Sequence, residues 1–186
     1  MKKASFYAAA AMAMALVSVS ASAQNYIAGD VGQSNANFDC TGTTDCKNTA
    51  TAVKLTGGYG LGNGLAIELG YVNFGKTNAA FGASTIDATA TAFTLGAAYE
   101  MGLSNGFAVN ARAGLATIKS TADANFVGAG ASSISQTVTS PYFGLGTTYA
   151  LTKNVKLRAG ADFMRGELAD SKYSLRNLSV GARYDF

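Results

Sequence analysis

Leu178-Ser179-Val180-Gly181-Ala182-Arg183-Tyr184-Asp185-Phe186 alternates at every step between an apolar residue and a small or charged one. Successive side chains of an extended strand point to opposite sides, so the stretch has one apolar face and one polar face. A helix would need apolar residues three and four apart and would mix the two sets. The same two-residue period returns over residues 26–33, 51–59, 65–74, 90–100, 107–115, 142–149 and 155–163. In the third of these, Leu65, Ile67, Leu69 and Tyr71 oppose Ala66, Glu68 and Gly70. Together the eight segments form an even-numbered series of strands.

The connections also alternate. Residues 60–64, 101–106 and 151–154 are short and rich in Gly and Asn, as tight turns are. Residues 34–50, 77–87, 120–133 and 166–172 are longer, polar, and read as loops. Short turns at one end and long loops at the other mark an outer-membrane barrel, although a soluble up-and-down barrel has the same strand count. The faces separate the two. Asp30, Lys54, Glu68, Glu100, Arg112, Lys156, Arg158, Asp162, Arg183 and Asp185 all share the polar face, five acids against five bases. An Arg or Lys turned to lipid at mid-membrane costs roughly 2–4 kcal/mol, so the polar face must look inward. The expected fold is all-β: an eight-stranded antiparallel transmembrane β-barrel, an up-and-down meander. Tyr59, Tyr99, Tyr149, Tyr184 and Phe186 end strands on the apolar face at the short-turn side, as an interfacial aromatic girdle does.

The first residues read as an address. Lys2 and Lys3 precede an apolar run and then Ala21-Ser22-Ala23, the three-part pattern of a secretory signal peptide. Residues 1–23 are therefore expected to be the signal peptide and residues 24–186 the barrel domain. Lys+Arg number 14 and Asp+Glu 11, and two of those cations fall in the leader, which leaves no electrostatic case for nucleic acid. Export also means an oxidising compartment. Cys40 and Cys46, with five residues between them in the first long loop, are expected to form an intraloop disulfide; a metal pair there would lack further ligands.

In order and at matching spacing, several stretches resemble the OmpA-type transmembrane barrel family of Gram-negative outer membranes. These are Gly57-Gly58-Tyr59 with Ala66-Ile67-Glu68-Leu69-Gly70-Tyr71, then Ser140-Pro141-Tyr142-Phe143 with Tyr149-Ala150, and finally the 178–186 stretch. The resemblance implies localisation in the cell outer membrane, within lipid and lipopolysaccharide. It also implies that the last strand, with Tyr184 and Phe186, is read by the barrel-assembly machinery. The chain departs from the family in ending at Phe186, so peptidoglycan anchoring is not carried over. The family's interior gate pairs an acid with a base. Glu68 and Arg158 match those two, but the remaining gate positions read Gly96 and Thr148.

The sequence contains no His, which removes the usual general base and the commonest metal ligand. No catalytic residue, metal or cofactor is expected. Gly60-Leu61-Gly62 is a turn rather than a phosphate loop, since no helix follows it. A lumen ion-pair network of Glu68, Arg158, Arg112, Lys54, Asp30, Asp162 and Arg183 is expected, with Glu68 bonded to Arg158 and Arg112 and Lys54 beside them. The leading functional reading is a non-enzymatic outer-membrane barrel, an envelope component or a scaffold whose loops contact an envelope or host ligand in the manner of an adhesin. The alternative is a narrow porin-like pore for small solutes. A soluble ligand-binding barrel is opposed by the charged inner face.

Overall fold

The computed structural model describes residues 24–37, 45–81, 84–126, 130–168 and 171–186. Among the described residues nine strands follow one another: β1 (Tyr26–Ala36), β2 (Asp45–Lys47), β3 (Thr49–Gly62), β4 (Leu65–Phe81), β5 (Ser84–Gly102), β6 (Phe107–Phe126), β7 (Gly130–Ala150), β8 (Val155–Leu168) and β9 (Ser171–Asp185). All pairings are antiparallel. Sequential neighbours pair from β3 to β9, and β1 joins β3 on one side and β9 on the other, from Tyr26↔Asp185 to Ala36↔Leu175. The result is a closed eight-stranded barrel in meander order. The ninth strand, β2, is a three-residue addition alongside the outer part of β4, with Cys46 opposite Ala79.

The alternation read from the sequence sorts the faces as expected. Leu69, Leu95, Leu145, Leu178 and Val180 lie on the outside, each about three-fifths exposed, whereas Asp30, Lys54, Glu68, Arg112 and Asp162 are buried. On β6 the outward apolar run from Phe107 to Leu115 covers nine residues, close to the roughly 9–11 a tilted strand needs to cross the hydrocarbon core. The short turns close tightly. Between β3 and β4, Asn63 and Gly64 both take positive φ, 53° and 80°, in a two-residue hairpin loop whose left-handed backbone suits Asn and Gly. Between β7 and β8, the Thr152 hydroxyl accepts from the backbone N–H groups of Asn154 and Val155.

At the other end the structure corrects the sequence reading. Most of residues 77–87, 120–133 and 166–172 are not loops but continuations of the strands. β4 and β5 stay paired to Phe81↔Ser84, β6 and β7 to Phe126↔Gly130, and β8 and β9 to Leu168↔Ser171. These segments rise beyond the apolar band with water on both sides, so they lose the apolar alternation by which strands are recognised. β7 and β8 part company at Tyr142↔Met164, so the outer part of β7 pairs with β6 alone. Pro141, which has no N–H to give, stands where that edge opens. The first long connection is described only in part, and Cys40 lies outside the described residues, as does the side chain of Cys46.

Candidate functional site

The lumen holds the chemistry of this molecule, and its lower half, toward the short turns, is built from a repeated device. Across three neighbouring strands, a charged or phenolic side chain reaches over an inward glycine to its partner two strands away. Tyr26, Gly58 and Glu68 share one row, because Tyr26 pairs with Gly58 and Gly58 with Glu68. The Tyr26 hydroxyl donates to Glu68 Oε1 over that glycine. Asp30, Gly181 and Arg158 form a second row, with Arg158 Nε 3.2 Å from Asp30 Oδ1. Arg112, Gly144 and Asp162 form a third, with Arg112 Nη2 3.1 Å from Asp162 Oδ1. A Cβ at Gly144 would lie 2.5 Å from Asp162 Oδ1 and 2.9 Å from Arg112 Nε, so the bridging side chains occupy the space glycine leaves.

Asp162 is the hub of this layer. Besides its ion pair with Arg112, it accepts a hydrogen bond from Lys54 Nζ at 2.6 Å, across the barrel from β3 to β8, and it is 2% exposed. Nearer the short turns lies a second network. Glu100 accepts from Lys156 Nζ and Arg183 Nη1, each at 2.9 Å, and from the Thr148 hydroxyl at 3.3 Å. Asp185 faces Lys156 at 3.1 Å and accepts from Arg183 Nε. The Arg183 guanidinium also sits 3.6 Å above the Tyr26 ring, in cation–π contact. All five of these lumen carboxylates therefore have a cation or phenol as partner.

The expected pair of Glu68 with Arg158 does not form. Glu68 bonds to Tyr26, Arg158 to Asp30, and Lys54 and Arg112 turn to Asp162 rather than to Glu68. The reason is register: the closing pair of β1 with β9 sets Asp30 level with Gly181, and Gly181 with Arg158. Arg158 thus meets an acid on β1 before it can reach β4. Among the described residues Glu68 forms no ion pair.

Above the charges the lumen changes character, which the sequence reading did not anticipate. Val72 and Phe74 of β4, Ala92 of β5, Ala116 and Ile118 of β6, Tyr142 of β7, Met164 of β8, and Tyr173 and Leu175 of β9 form one buried cluster together with Ala36. Ile118 is 0% exposed and Leu175 2%. Seven of the eight barrel strands contribute to this septum, which begins at Met164, one inward position above Asp162 on β8. Ser120 and the Tyr173 hydroxyl share a hydrogen bond at its upper margin, and the Ser34 hydroxyl donates to the Phe74 carbonyl. A sequence signal for the septum did exist: Val72, Phe74, Ile118 and Met164 are large apolar residues with inward parity.

On the outer wall, Tyr184 and Phe186 are exposed and stack edge-on, with ring centroids 5.2 Å apart. Phe107 and Tyr149 meet at a 45° tilt with ring centroids 4.7 Å apart.

An apolar outer band, an aromatic rim and a lumen lined by paired charges together describe a membrane barrel. The family of the outer membrane protein beta-barrel domain matches this chain over residues 4–186. The chain belongs to that family. It is therefore an outer-membrane β-barrel of the Gram-negative envelope, and the OmpA-type resemblance holds at family level. The fold is shared with Neisserial surface protein A, at 20% identity and a TM-score of 0.60, covering 89% of this chain and 100% of that one. It is shared equally with Ail, the attachment invasion locus protein of Yersinia pestis, at 17% identity and 0.60, with the same coverage. The N-terminal barrel domain of OprF from Pseudomonas aeruginosa follows at 20% identity and 0.57, covering 87% of this chain and 97% of that one. A search of curated protein sequences finds no match.

Proposed function

We propose that this outer-membrane barrel is a closed, non-enzymatic scaffold that holds paired β-strands at the cell surface for contact with an envelope or host ligand. One observation carries the reading: an apolar septum crosses the lumen directly above a layer of paired charges. Water and ions lose their hydration against such a layer, and the salt bridges beneath it leave no free charge to replace that hydration. This opposes the narrow-pore reading. The partnered state of the lumen carboxylates supports a structural rather than a catalytic use of them.

What the closed body holds up also supports the reading. The β6–β7 hairpin continues well past the apolar band, and the outer part of β7 keeps one edge unpaired. Such an edge is a template for an added strand, and its Ser/Thr-rich stretch from Ser132 to Ser140 carries no charge to discourage pairing. The Yersinia pestis barrel named for attachment and invasion has also been solved with the heparin analogue sucrose octasulfate, at 14% identity to this chain. In this account residues 1–23 are the removed signal peptide, and a Cys40–Cys46 bridge closes a short ring within the first long loop. The outward pair Tyr184 and Phe186 presents the last strand to the assembly machinery.

Surface display is tested by labelling. In a background with Cys40 and Cys46 replaced by Ser, Ser132→Cys should react with a membrane-impermeant maleimide on intact cells. Lys153→Cys, in the short turn between β7 and β8, should react only after lysis. Labelling of Lys153→Cys on intact cells, or protection of Ser132→Cys, would overturn the proposed display.

A further inference from the structure

Arg165 and Arg176 lie on the outer wall, unlike the lumen cations. Phe163 and Leu178 are the last apolar outward residues of β8 and β9, at 43% and 64% exposure, and the next outward positions toward the hairpins are Arg165 and Arg176, both exposed. The register sets Phe163 opposite Arg176 and Arg165 opposite Ser174, so the arginines are diagonal neighbours, about 7–8 Å apart at the backbone. Neither forms an ion pair among the described residues. Glu167, the next outward residue on β8, faces Lys172 across the strand pair and accepts from Gln136 instead.

This placement is specific to one side of the barrel. On the other six barrel strands, the first polar residues above the apolar band are Gln33, Thr51, Asn73, Thr91, Thr117 and Thr139, all uncharged. Two unpartnered guanidiniums side by side repel each other unless an anion lies between them. A guanidinium fork matches the oxygens of a phosphate, and two forks carried at diagonal positions of adjacent strands match one phosphate better than any single cation does. Long hairpins mark the extracellular side, so the arginines stand at headgroup level in the outer leaflet, with Phe163 and Leu178 beneath to receive acyl chains.

We propose that Arg165 and Arg176 form a binding site for the phosphomonoester headgroup of an anionic membrane amphiphile in the outer leaflet, whatever the hairpins contact. The test uses the purified barrel in zwitterionic micelles, with retained lipid counted by native mass spectrometry. The probes are phosphatidic acid, phosphatidylcholine and inorganic phosphate. The barrel should retain phosphatidic acid in preference to phosphatidylcholine, and Arg165→Gln/Arg176→Gln should reduce that preference roughly tenfold to thirtyfold. Arg165→Lys/Arg176→Lys, which keeps the charge without the fork, should fall between and also serves if the glutamine variant does not fold. Lys153→Gln, at the opposite rim, should change nothing, and millimolar inorganic phosphate should not displace the lipid. An undiminished preference in both double variants would overturn the site, as would an equal loss in Lys153→Gln. Displacement by inorganic phosphate would overturn its assignment to a lipid.

Discussion

Asp162→Ala should lower the unfolding free energy of the barrel by about 3–5 kcal/mol, the largest effect expected from any single lumen substitution. The substitution leaves Lys54 Nζ and the Arg112 guanidinium, now 2.6 and 3.1 Å from its oxygens, as buried cations with no acid between them. The cost comes from stranding those two charges in a water-poor interior more than from losing the attraction itself. Removing Lys54 as well should therefore recover part of the loss, so that Lys54→Met/Asp162→Ala is more stable than Asp162→Ala alone. Urea unfolding of detergent-folded protein, followed by its heat-modifiable gel migration, gives the comparison. The Lys76–Asp87 pair is a control of the same chemistry in a different setting. Its lysine is 60% exposed and its aspartate 28%, on the extracellular part of β4 and β5. Asp87→Ala should cost no more than about 1 kcal/mol. Similar losses for Asp87→Ala and Asp162→Ala would mean that the lumen is as wet as the surface.

The septum provides the second large effect. Ile118→Ala should cost about 2–5 kcal/mol, because the side chain is fully buried and its neighbours Val72, Phe74 and Leu175 come from other strands fixed by hydrogen bonds. A cavity there cannot collapse without bending the wall. Leu115→Ala, three residues earlier on β6 but turned outward and 58% exposed, should cost less, since lipid tails refill the space. Both measurements come from the same unfolding curves. If the two substitutions cost the same, Ile118 does not lie in a packed layer.

The membrane-spanning parts of the barrel were legible in the sequence, because lipid on one side and a polar lumen on the other enforce a two-residue period. Residues 178–186 show it without a break, and they take the faces that period requires. The outer thirds of β4 to β7 were hidden for the converse reason. With water on both sides, Ala, Ser and Thr fill either face equally well, and residues 120–133 read as a loop although all the described residues among them pair. In the lumen, residue identity was legible but partnership was not. A turn such as Asn63-Gly64 fixes how β3 meets β4, but no turn joins β1 to β9, and that closing register decides that Arg158 meets Asp30. The glycine rows depend on it too, so they can be read only once the barrel is closed. The septum is a different case. Its large residues had inward parity from the start, yet ten charges on the same face drew the reading toward a wholly polar interior.

Single-channel recording in planar bilayers tests the closed lumen most directly. Purified, heat-modifiable barrel should insert and leave the membrane at its protein-free baseline over the whole stable voltage range. Ile118→Ala/Leu175→Ala, with the septum thinned on two strands, should add at most brief openings, because the paired charges of Asp162, Arg112 and Lys54 still lie beneath it. Steady ohmic steps from the unaltered protein, of the same size in the septum variant, would contradict the account.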